Sequence, residues 1–336
     1  MVGRAYAVAR DLAVTVGMAV AVAALLGCSA PNHGAQVDGL APAPIRAVGV
    51  MALGVGSALH LYRGDGAPVV RPVAAWRANG EGAVTWLGHA GFRIGLGGRS
   101  ILVDPMLSER LGLPVPLAPR RMTPPPPITA IDRLDAVVIS HADHDHYDRP
   151  TLRRLAARFP AARLVIPAGM DARAADLGFA ATIATEEGRT VDLGGLRLTA
   201  TPAYHHGRRD MIGLAPTPAV GWVIEGGGRR IFHSGDTGYG PAFRAIGARY
   251  GRFDLALVPI GAYEPRAFFG GMHATPEEAV AIAVDLRARR AIGHHWGTFA
   301  LGPESPAEAS RRFVEAGRGR LDARVMAIGE TLTFGR

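Results

Sequence analysis

Short apolar runs separated by glycine and polar turn residues follow one another along the chain from about residue 80 onward. Runs of roughly four to eight residues rich in Val, Ile, Leu and aromatic side chains are typical of β-strands. Gly88 and the pair Gly97-Gly98 mark the first turns. The pattern predicts strands at residues 83–87, 91–96, 100–104, 136–139, 163–166, 196–201, 220–225, 230–233 and 254–259.

Helix start signals stand between and after these runs. Pro150 opens a helix behind the fourth run. Thr275-Pro276-Glu277-Glu278 is a capping box that predicts a helix to about residue 289, and Ser305-Pro306-Ala307-Glu308 predicts a last one. Residues 113–128 are too rich in proline for either element, and a loop of this length is a candidate wall of a functional site. The alternation of strands and helices predicts a layered α/β domain.

The N-terminus has the pattern of a targeting segment. Arg4 and Arg10 precede an apolar run at residues 12–26, which is shorter than the roughly 20 residues of a spanning helix. Cys28, the only cysteine of the chain, follows this run after Gly27. The segment resembles a bacterial lipoprotein signal whose Cys28 is lipidated, with Ser29 favouring the outer membrane; an uncleaved anchor is the alternative. We therefore expect a signal peptide at residues 1–28, a tether and poorly specified segment at 29–80, and one domain at 81–336.

Composition and charge narrow the partners. Apolar residues make up 48% and charged residues 20% of the chain, as in globular proteins. The 37 basic residues are all arginine and exceed the 29 acidic ones, which gives a net charge of +8. These arginines are scattered in pairs at most, whereas a nucleic-acid surface clusters them. We expect no nucleic-acid partner, and anionic phospholipid or a phosphate-bearing substrate stays open.

Three histidines and two aspartates crowd into six positions directly after the apolar run at 136–139. The segment reads His141-Ala142-Asp143-His144-Asp145-His146. Imidazole and carboxylate are ligands that suit zinc, iron and manganese. Loops without such a role are usually built from other polar residues, so the bland alternative is a solvated loop of chance composition. The segment predicts a metal-binding loop.

Further histidines and an aspartate follow other predicted strands. His205-His206, Asp236 and His294-His295 stand just beyond apolar runs. Side chains delivered from four strand ends to one sheet edge would supply six or seven ligands, enough for two metal ions sharing a bridging carboxylate. Any one of these histidines could be a satisfied core residue, but the set together indicates a metal centre.

Several longer motifs resemble the metallo-β-lactamase fold superfamily, and most closely its branch of N-acylphosphatidylethanolamine-hydrolysing phospholipase D and ascorbate-6-phosphate lactonases. The resemblance covers about residues 80–299. The motifs are Trp86-Leu87-Gly88-His89-Ala90-Gly91-Phe92, Val103-Asp104-Pro105, Pro119-Arg120-Arg121, Gly235-Asp236-Thr237-Gly238-Tyr239, Pro259-Ile260-Gly261-Ala262-Tyr263-Glu264-Pro265, His273 before Pro276-Glu277-Glu278-Ala279, and His295-Trp296-Gly297-Thr298-Phe299. The fold implied is a four-layer αβ/βα sandwich of two mixed β-sheets flanked by helices.

The resemblance also implies the ligand set of two divalent metal ions, zinc in the first place and iron or manganese otherwise. Half-site one would be His141, Asp143 and His205, and half-site two would be Asp145, His146 and His295, with Asp236 bridging. His206 and His294 would be supporting or structural residues. The catalytic residues would be Asp145, Asp236, His89 and His273, the two histidines being non-ligands that orient a ligand or bind a substrate phosphate.

Asp143 departs from the family pattern His-x-His-x-Asp-His, because it stands where the second His is expected. His144 lies one position out of register. An added carboxylate lowers the net positive charge of the site, which should make a bound water less acidic and shift the metal preference from zinc toward iron or manganese.

The function implied is metal-assisted hydrolysis of a phosphodiester in a lipid such as N-acylphosphatidylethanolamine, with a hydroxide held between the metals as nucleophile. The alternatives are a lactonase or another phosphodiesterase of this fold, since a fold does not choose a substrate. A non-catalytic envelope lipoprotein is a third possibility, and β-lactam hydrolysis fits the motifs less well. We expect a small-molecule or lipid substrate and attachment to the membrane through Cys28 on the periplasmic face of the outer membrane; the oligomeric state stays open.

Overall fold

Two seven-stranded sheets face each other in the part of the chain that the computed structural model describes. That part is residues 82–112, 119–207 and 217–333, without the side chain of residue 268. The predicted signal peptide and tether, together with residues 113–118 of the proline-rich loop, lie outside it. Among the described residues no helix is both long and apolar enough to cross a membrane.

Sheet one has the strand order β14-β1-β2-β3-β4-β5-β6. Strands β1 to β3 form antiparallel hairpins, and β3 to β6 run parallel. The strands are β1 Ala83–Gly88, β2 Gly91–Leu96, β3 Arg99–Val103, β4 Ala136–Val138, β5 Arg163–Pro167, β6 Ala181–Thr185 and β14 Thr331–Thr333.

Sheet two has the order β13-β12-β11-β10-β9-β8-β7 and combines antiparallel hairpins with parallel strands. Strands β10 to β13 run parallel. The strands are β7 Thr190–Asp192, β8 Leu196–Gly207, β9 Thr217–Gly226, β10 Arg229–His233, β11 Leu255–Pro259, β12 Arg290–His294 and β13 Asp322–Arg324.

The main core fills the space between the sheets and continues beneath the helices of sheet two. Trp86 and Phe92 of sheet one and Trp222 and Phe232 of sheet two belong to one cluster of fully buried side chains. A second cluster covers the other face of sheet one, where Leu152 packs with its apolar side chains. Because both faces are covered, β1 and β2 are buried along their whole length and show no alternation.

Six helices, and a short 3-10 helix at Ile128–Ala130, connect and cover the strands of the described residues. They are α1 Arg149–Arg158, α2 Asp171–Ala174, α3 Ala242–Tyr250, α4 Arg266–Phe269, α5 Pro276–Asp285 and α6 Pro306–Gly317. Thr275 and Glu278 form the predicted capping box at α5. At α6 the Ser305 side chain accepts a hydrogen bond from the Glu308 N–H, as the N-cap residue of such a box does. Helices on both outer faces give the predicted four-layer αβ/βα sandwich, so this prediction is confirmed.

Two predicted boundaries are wrong. Strand β8 continues to Gly207 instead of ending near residue 201, because an irregularity between Pro202 and His206 lets the pairing with β9 resume. Helix α5 ends at Asp285 rather than near 289, since Arg287 adopts a positive φ of 56° and residue 290 already begins β12. The sequence pattern also missed the strands β6, β7, β13 and β14 and the helices α2, α3 and α4.

The topology brings chemistry to one end of the sandwich, from the strand ends of both sheets and not from the edge of one sheet as predicted. Parallel strands end on the same side of a sheet, and the crevice outside their carboxyl ends is where such folds hold ligands. His141 follows β4, Asp236 follows β10, and His295 follows β12. The domain boundary at residue 81 stays a prediction.

Candidate metal centre

The loop after β4 is a tight turn held by its own backbone. The N–H groups of His146 and Tyr147 both donate to the Asp143 carbonyl, at 3.1 and 2.8 Å. His141 and His146 are fully buried on this turn, and their rings lie 4.1 Å apart. The turn therefore carries its histidines and aspartates into the crevice between the two sheets.

Half-site one comes together as the resemblance implied. His141 Nε2 and His205 Nε2 each lie 3.4 Å from Asp143 Oδ2. His205 reaches this position from inside β8, within the strand irregularity between Pro202 and His206, and not from a strand end as expected. Two extra residues in β8 across this irregularity bend the strand and re-aim its side chains toward the loop.

Half-site two lies beside it. His295 Nε2 lies 3.3 Å and His146 Nε2 lies 3.8 Å from Asp145 Oδ2. Asp236 stands between the half-sites: its Oδ2 is 3.0 Å from His295 Nε2, 3.2 Å from His146 Nε2 and 4.0 Å from His141 Nε2. This is the place that a bridging carboxylate would occupy.

The donor atoms fit metal ions better than they fit one another. The Nε2 atoms of His141, His146 and His295 and Oδ1 of Asp236 are buried without a hydrogen-bond partner among the described residues. Metal–ligand bonds of about 2.1 Å place neighbouring ligand atoms about 3.0–3.4 Å apart. Most of the spacings above lie near that range. Buried polar atoms that converge without bonding each other indicate a cation between them.

His144 lies outside these groups of potential ligands. It sits toward Gly112, where a Cβ would come 3.6 Å from its Nδ1. The structure thus brings Asp143, and not His144, to the other ligands. This is the register that the ungapped comparison with the family pattern implied.

Asp104 supports His146 directly and His141 through Ser140. It follows β3, its Oδ2 lies 2.8 Å from His146 Nδ1, and it accepts hydrogen bonds from Ser140 N–H and Oγ at 2.7 and 2.6 Å. Because the Ser140 hydroxyl donates to Asp104, its oxygen accepts from His141 Nδ1 at 2.9 Å. Both rings are thereby turned with Nε2 toward the site. The sequence motif contained Asp104 without giving it a role; its place at the end of a strand parallel to β4 was the available signal.

His233 is a second residue that the sequence reasoning missed. Its Nδ1 accepts from Gly235 N–H at 3.1 Å and its Nε2 donates to Ala90 O at 3.0 Å, which ties β10 to the turn that carries His89. Gly235 has φ of 59°, and a Cβ there would come 2.7 Å from Ser140 Cβ. Only glycine permits this approach of the Asp236 loop to the His141 loop.

The two supporting histidines have the places expected of non-ligands. His294 is fully buried, stacks on His233 at 5.1 Å, and lies 3.3 Å from Ser234 Oγ through Nε2. The ring of His206 lies 6.2 Å from that of His205, outside the groups of potential ligands.

His89 contacts half-site two directly. Its Nε2 lies 2.8 Å from Asp145 Oδ2, and its carbonyl accepts from His295 N–H at 3.0 Å. Burial, reinforced by His295, lowers the pKa of His89 to about 3. A neutral imidazole donates through Nε2–H to the carboxylate, so His89 orients Asp145.

His273 lies across the mouth of both half-sites. Its ring is 5.3 Å from the rings of His205 and His295, and its Nδ1 is 4.0 Å from Asp236 Oδ2. Burial lowers its pKa to about 3. His273 is therefore neutral near pH 7 and can donate a hydrogen bond, but it is not an acid at that pH.

The carboxylates of the site are ionised. Burial raises the pKa values of Asp145 and Asp236, but neighbouring histidines, His146 foremost, outweigh it and hold both well below the usual range. Burial lowers the pKa of His295, but Asp236 and Asp145 outweigh it and raise it to about 9. Negative carboxylates in a buried pocket are electrostatically ready for cations.

A small cavity opens beside His295. It has a volume of about 90 Å³ and is lined by the segments 261–262 and 295–306, including Trp296, Phe299 and Glu304. The Glu304 carboxylate accepts from Ala262 N–H at 2.5 Å, and burial raises its pKa. The cavity therefore adjoins half-site two, and its wall combines apolar and polar groups.

Comparison with known proteins gives a consistent family. The model of the "Beta-lactamase superfamily domain" matches residues 99–296. The N-acyl-phosphatidylethanolamine-hydrolyzing phospholipase D 1 of Caenorhabditis elegans is 35% identical over 65% of this chain and 64% of its own. A UPF0173 metal-dependent hydrolase of Nitratidesulfovibrio vulgaris is 31% identical over 75% of this chain and 95% of its own. The metallo hydrolase Igni18 of Ignicoccus hospitalis matches with a TM-score of 0.59 and 26% identity, over 76% of this chain and 99% of that one.

The chain spans slightly less than two thirds of the length of the nematode relative. The superfamily and the phospholipase D-like branch inferred from the motifs are confirmed, as is the metallo-hydrolase class at the level of the family. The identity and number of the metals and the roles of the individual residues stay predictions.

Proposed function

Since this chain belongs to the beta-lactamase superfamily, we propose that it is a metal-dependent phosphodiesterase of the phospholipase D type that acts on lipids such as N-acylphosphatidylethanolamine. The observation that carries the proposal is the convergence on one crevice of nine side chains that could hold a metal, the seven of the two half-sites together with His89 and His273. The 35% identity to a relative named for this reaction supports the substrate.

The residues of half-sites one and two would hold two divalent ions, with Asp236 between them. Such ions supply Lewis-acid activation of the phosphoryl group and of a water molecule. In the reaction a water oxygen forms the new bond to phosphorus, and the bond from phosphorus to the N-acylethanolamine oxygen breaks. The products are phosphatidate and the N-acylethanolamine, which takes up a proton.

The protein's own groups position this exchange. His89 holds Asp145 Oδ2 in place, at 2.8 Å, and so fixes one ligand of half-site two. His273 presents Nδ1 to the space between His205 and Asp236, where it can hydrogen-bond a phosphoryl oxygen. Its low pKa keeps this interaction independent of pH near neutrality.

The location of the enzyme is part of the proposal. Cys28 and the segment before it lie outside the described residues, and we propose that Cys28 is lipidated and keeps the domain at the periplasmic face of the outer membrane, where its lipid substrate is. Mass spectrometry of the N-terminal peptide would detect the lipid. An unmodified Cys28 in membrane-extracted protein contradicts this part alone.

The test of the reaction uses full-length protein purified in detergent, stripped of metal and reconstituted. N-acylphosphatidylethanolamine micelles, bis(p-nitrophenyl) phosphate and a panel of lactones are compared. We expect N-acylethanolamine and phosphatidate from the lipid, and loss of both in Asp145→Asn. Asp192→Asn is the matched control, because Asp192 is exposed on β7 and accepts a hydrogen bond from the nearby Gly194 N–H.

A hydrolase of another substrate is the second candidate, favoured by the likeness to a metal-dependent hydrolase over 95% of that protein. Turnover of a lactone or a soluble diester without lipid cleavage would select it. Binding of no metal, together with no turnover, would instead select the non-catalytic lipoprotein.

A further inference from the structure

The two half-sites present the same kinds of donors. In half-site one, Asp143 Oδ2 lies 3.4 Å from the Nε2 atoms of His141 and His205. In half-site two, Asp145 Oδ2 lies 3.3 and 3.8 Å from the Nε2 atoms of His295 and His146. Each half-site is thus two imidazoles and one carboxylate, whereas the family pattern has a third imidazole at position 143.

The backbone of Asp143 is part of an ordered turn. Its carbonyl anchors the turn by accepting the N–H groups of His146 and Tyr147. Gly207 lies beside the carboxylate: a Cβ there would come 3.4 Å from Asp143 Oδ1, an ordinary van der Waals distance.

The preferred metal differs between a half-site of three imidazoles and a half-site of two imidazoles and one carboxylate. Imidazole suits zinc, whereas carboxylate and water suit manganese, and two histidines with one carboxylate and open positions are typical of non-haem iron(II). Asp143 is also 24% exposed, against no exposure for His141, so water can reach the half-site from its side. Water ligands raise the coordination number above the four that zinc favours.

We propose that Asp143 converts half-site one from a zinc-selective group of three imidazoles into a site that accepts iron(II) or manganese(II). The proposal rests on the metal dependence in the proposed function and is independent of the substrate. Zinc binds more strongly than either ion at most nitrogen and oxygen sites. The property that Asp143 changes is therefore the ratio of the zinc affinity to the iron(II) or manganese(II) affinity.

The test measures bound metal and not turnover. Metal-stripped full-length protein is equilibrated without oxygen in buffered mixtures of zinc with manganese(II), or of zinc with iron(II), and the metals bound per chain are counted. The variant is Asp143→His, which restores the family's imidazole. Asp192→His is the matched control, since it adds a histidine at an exposed position of β7.

We expect the selectivity for zinc over manganese(II) at one of two equivalents to rise about tenfold or more in D143H, with no change at the other. D143E, which keeps an oxygen donor, should behave like the wild type, and so should D192H. The iron arm shows which of the two ions gains more. If D143H does not fold, D143N serves instead and should lose one equivalent.

Equal selectivity in the wild type and D143H overturns the proposal, as does a change in D143H that D192H reproduces, or retention of both equivalents by D143N. If lipid is cleaved while these selectivities are equal, the inference fails and the proposed function stands. If no form of the protein binds metal, both fail.

Discussion

Half-site one and half-site two offer the same donors, but the residues behind those donors differ. In half-site two, the carboxylate of Asp104 supports His146 at 2.8 Å, and the imidazole of His89 holds Asp145 at 2.8 Å. In half-site one, His141 is supported by the hydroxyl of Ser140 at 2.9 Å. Asp143 is also more exposed than Asp145, 24% against 15%.

This comparison shows that two half-sites with the same ligand types can differ in the residues that hydrogen-bond to those ligands. A carboxylate behind a histidine raises its basicity and fixes its ring more strongly than a hydroxyl does. Half-site two should therefore bind its ion more tightly although both half-sites use two imidazoles and one carboxylate. In metal titrations, Asp143→Asn and Asp145→Asn identify the two binding phases, because each removes a donor from one half-site.

Asp236→Asn should have the largest effect, since Asp236 Oδ2 lies within 4.0 Å of the Nε2 atoms of His141, His146 and His295 and so contacts both half-sites. We expect activity to fall by about a thousandfold or more and both metal phases to weaken. Turnover and metal content of the purified protein check this, with D192N as the unaffected control. Loss of one phase alone would contradict the bridging place of Asp236.

Asp104→Asn should weaken the half-site two phase by about 10- to 100-fold, because His146 loses its carboxylate support. Half-site one should change less, since Asp104 reaches His141 only through Ser140. Chelator competition measures both phases. Equal weakening of the two would remove the asymmetry described above.

His273 faces both half-sites, so the effect of its burial on stability can be tested independently of the difference in support between them. Its pKa of about 3 in the folded protein lies below the unfolded value near 6.5, so its contribution to stability is full above pH 6.5 and is lost as pH falls toward 3. His273 should make the metal-free protein about 2 kcal/mol less stable at pH 5 than at pH 7.

Urea unfolding of metal-free wild type and His273→Gln at the two pH values measures this loss. The variant should lose less stability on acidification, by about that amount. An identical loss in both proteins would show that the imidazole is not held neutral by burial.

Ser140→Ala should give the smallest effect, a weakening of the half-site one phase by less than about tenfold. Asp104 still accepts a hydrogen bond from the Ser140 N–H, at 2.7 Å, so its hydrogen bond with His146 remains. Chelator competition under the conditions used for D104N compares the two variants. A larger loss in S140A than in D104N would reverse the ranking of hydroxyl and carboxylate support.

The sequence contained the ligands more clearly than their support. His141, Asp236 and His295 follow apolar runs, and the rule that parallel strands end on one edge places Asp236 and His295 together in sheet two. His141 follows a strand of sheet one, so its approach to them depends on how the two sheets face each other. His205 was placed by the wrong route, because the continuation of β8 depends on its pairing with β9 across a strand irregularity. Local patterns do not contain such pairing.

Asp104, Ser140 and His233 escaped prediction for the same reason. Asp104 lies 42 residues from His146, and His233 lies 143 residues from Ala90, so these contacts exist only once β3, β4 and β10 are assembled. The close approach of Gly235 to Ser140 likewise joins two sheets. Strand ends can be read from a sequence, but the neighbours across a sheet edge follow from the whole topology.

If two half-sites joined by Asp236 form the metal centre, anomalous diffraction from crystals of manganese- or zinc-loaded protein should show two peaks. One should lie among His141, Asp143 and His205 and the other among Asp145, His146 and His295, both beside Asp236. A single peak, or a peak bound by His144 in place of Asp143, would contradict this arrangement.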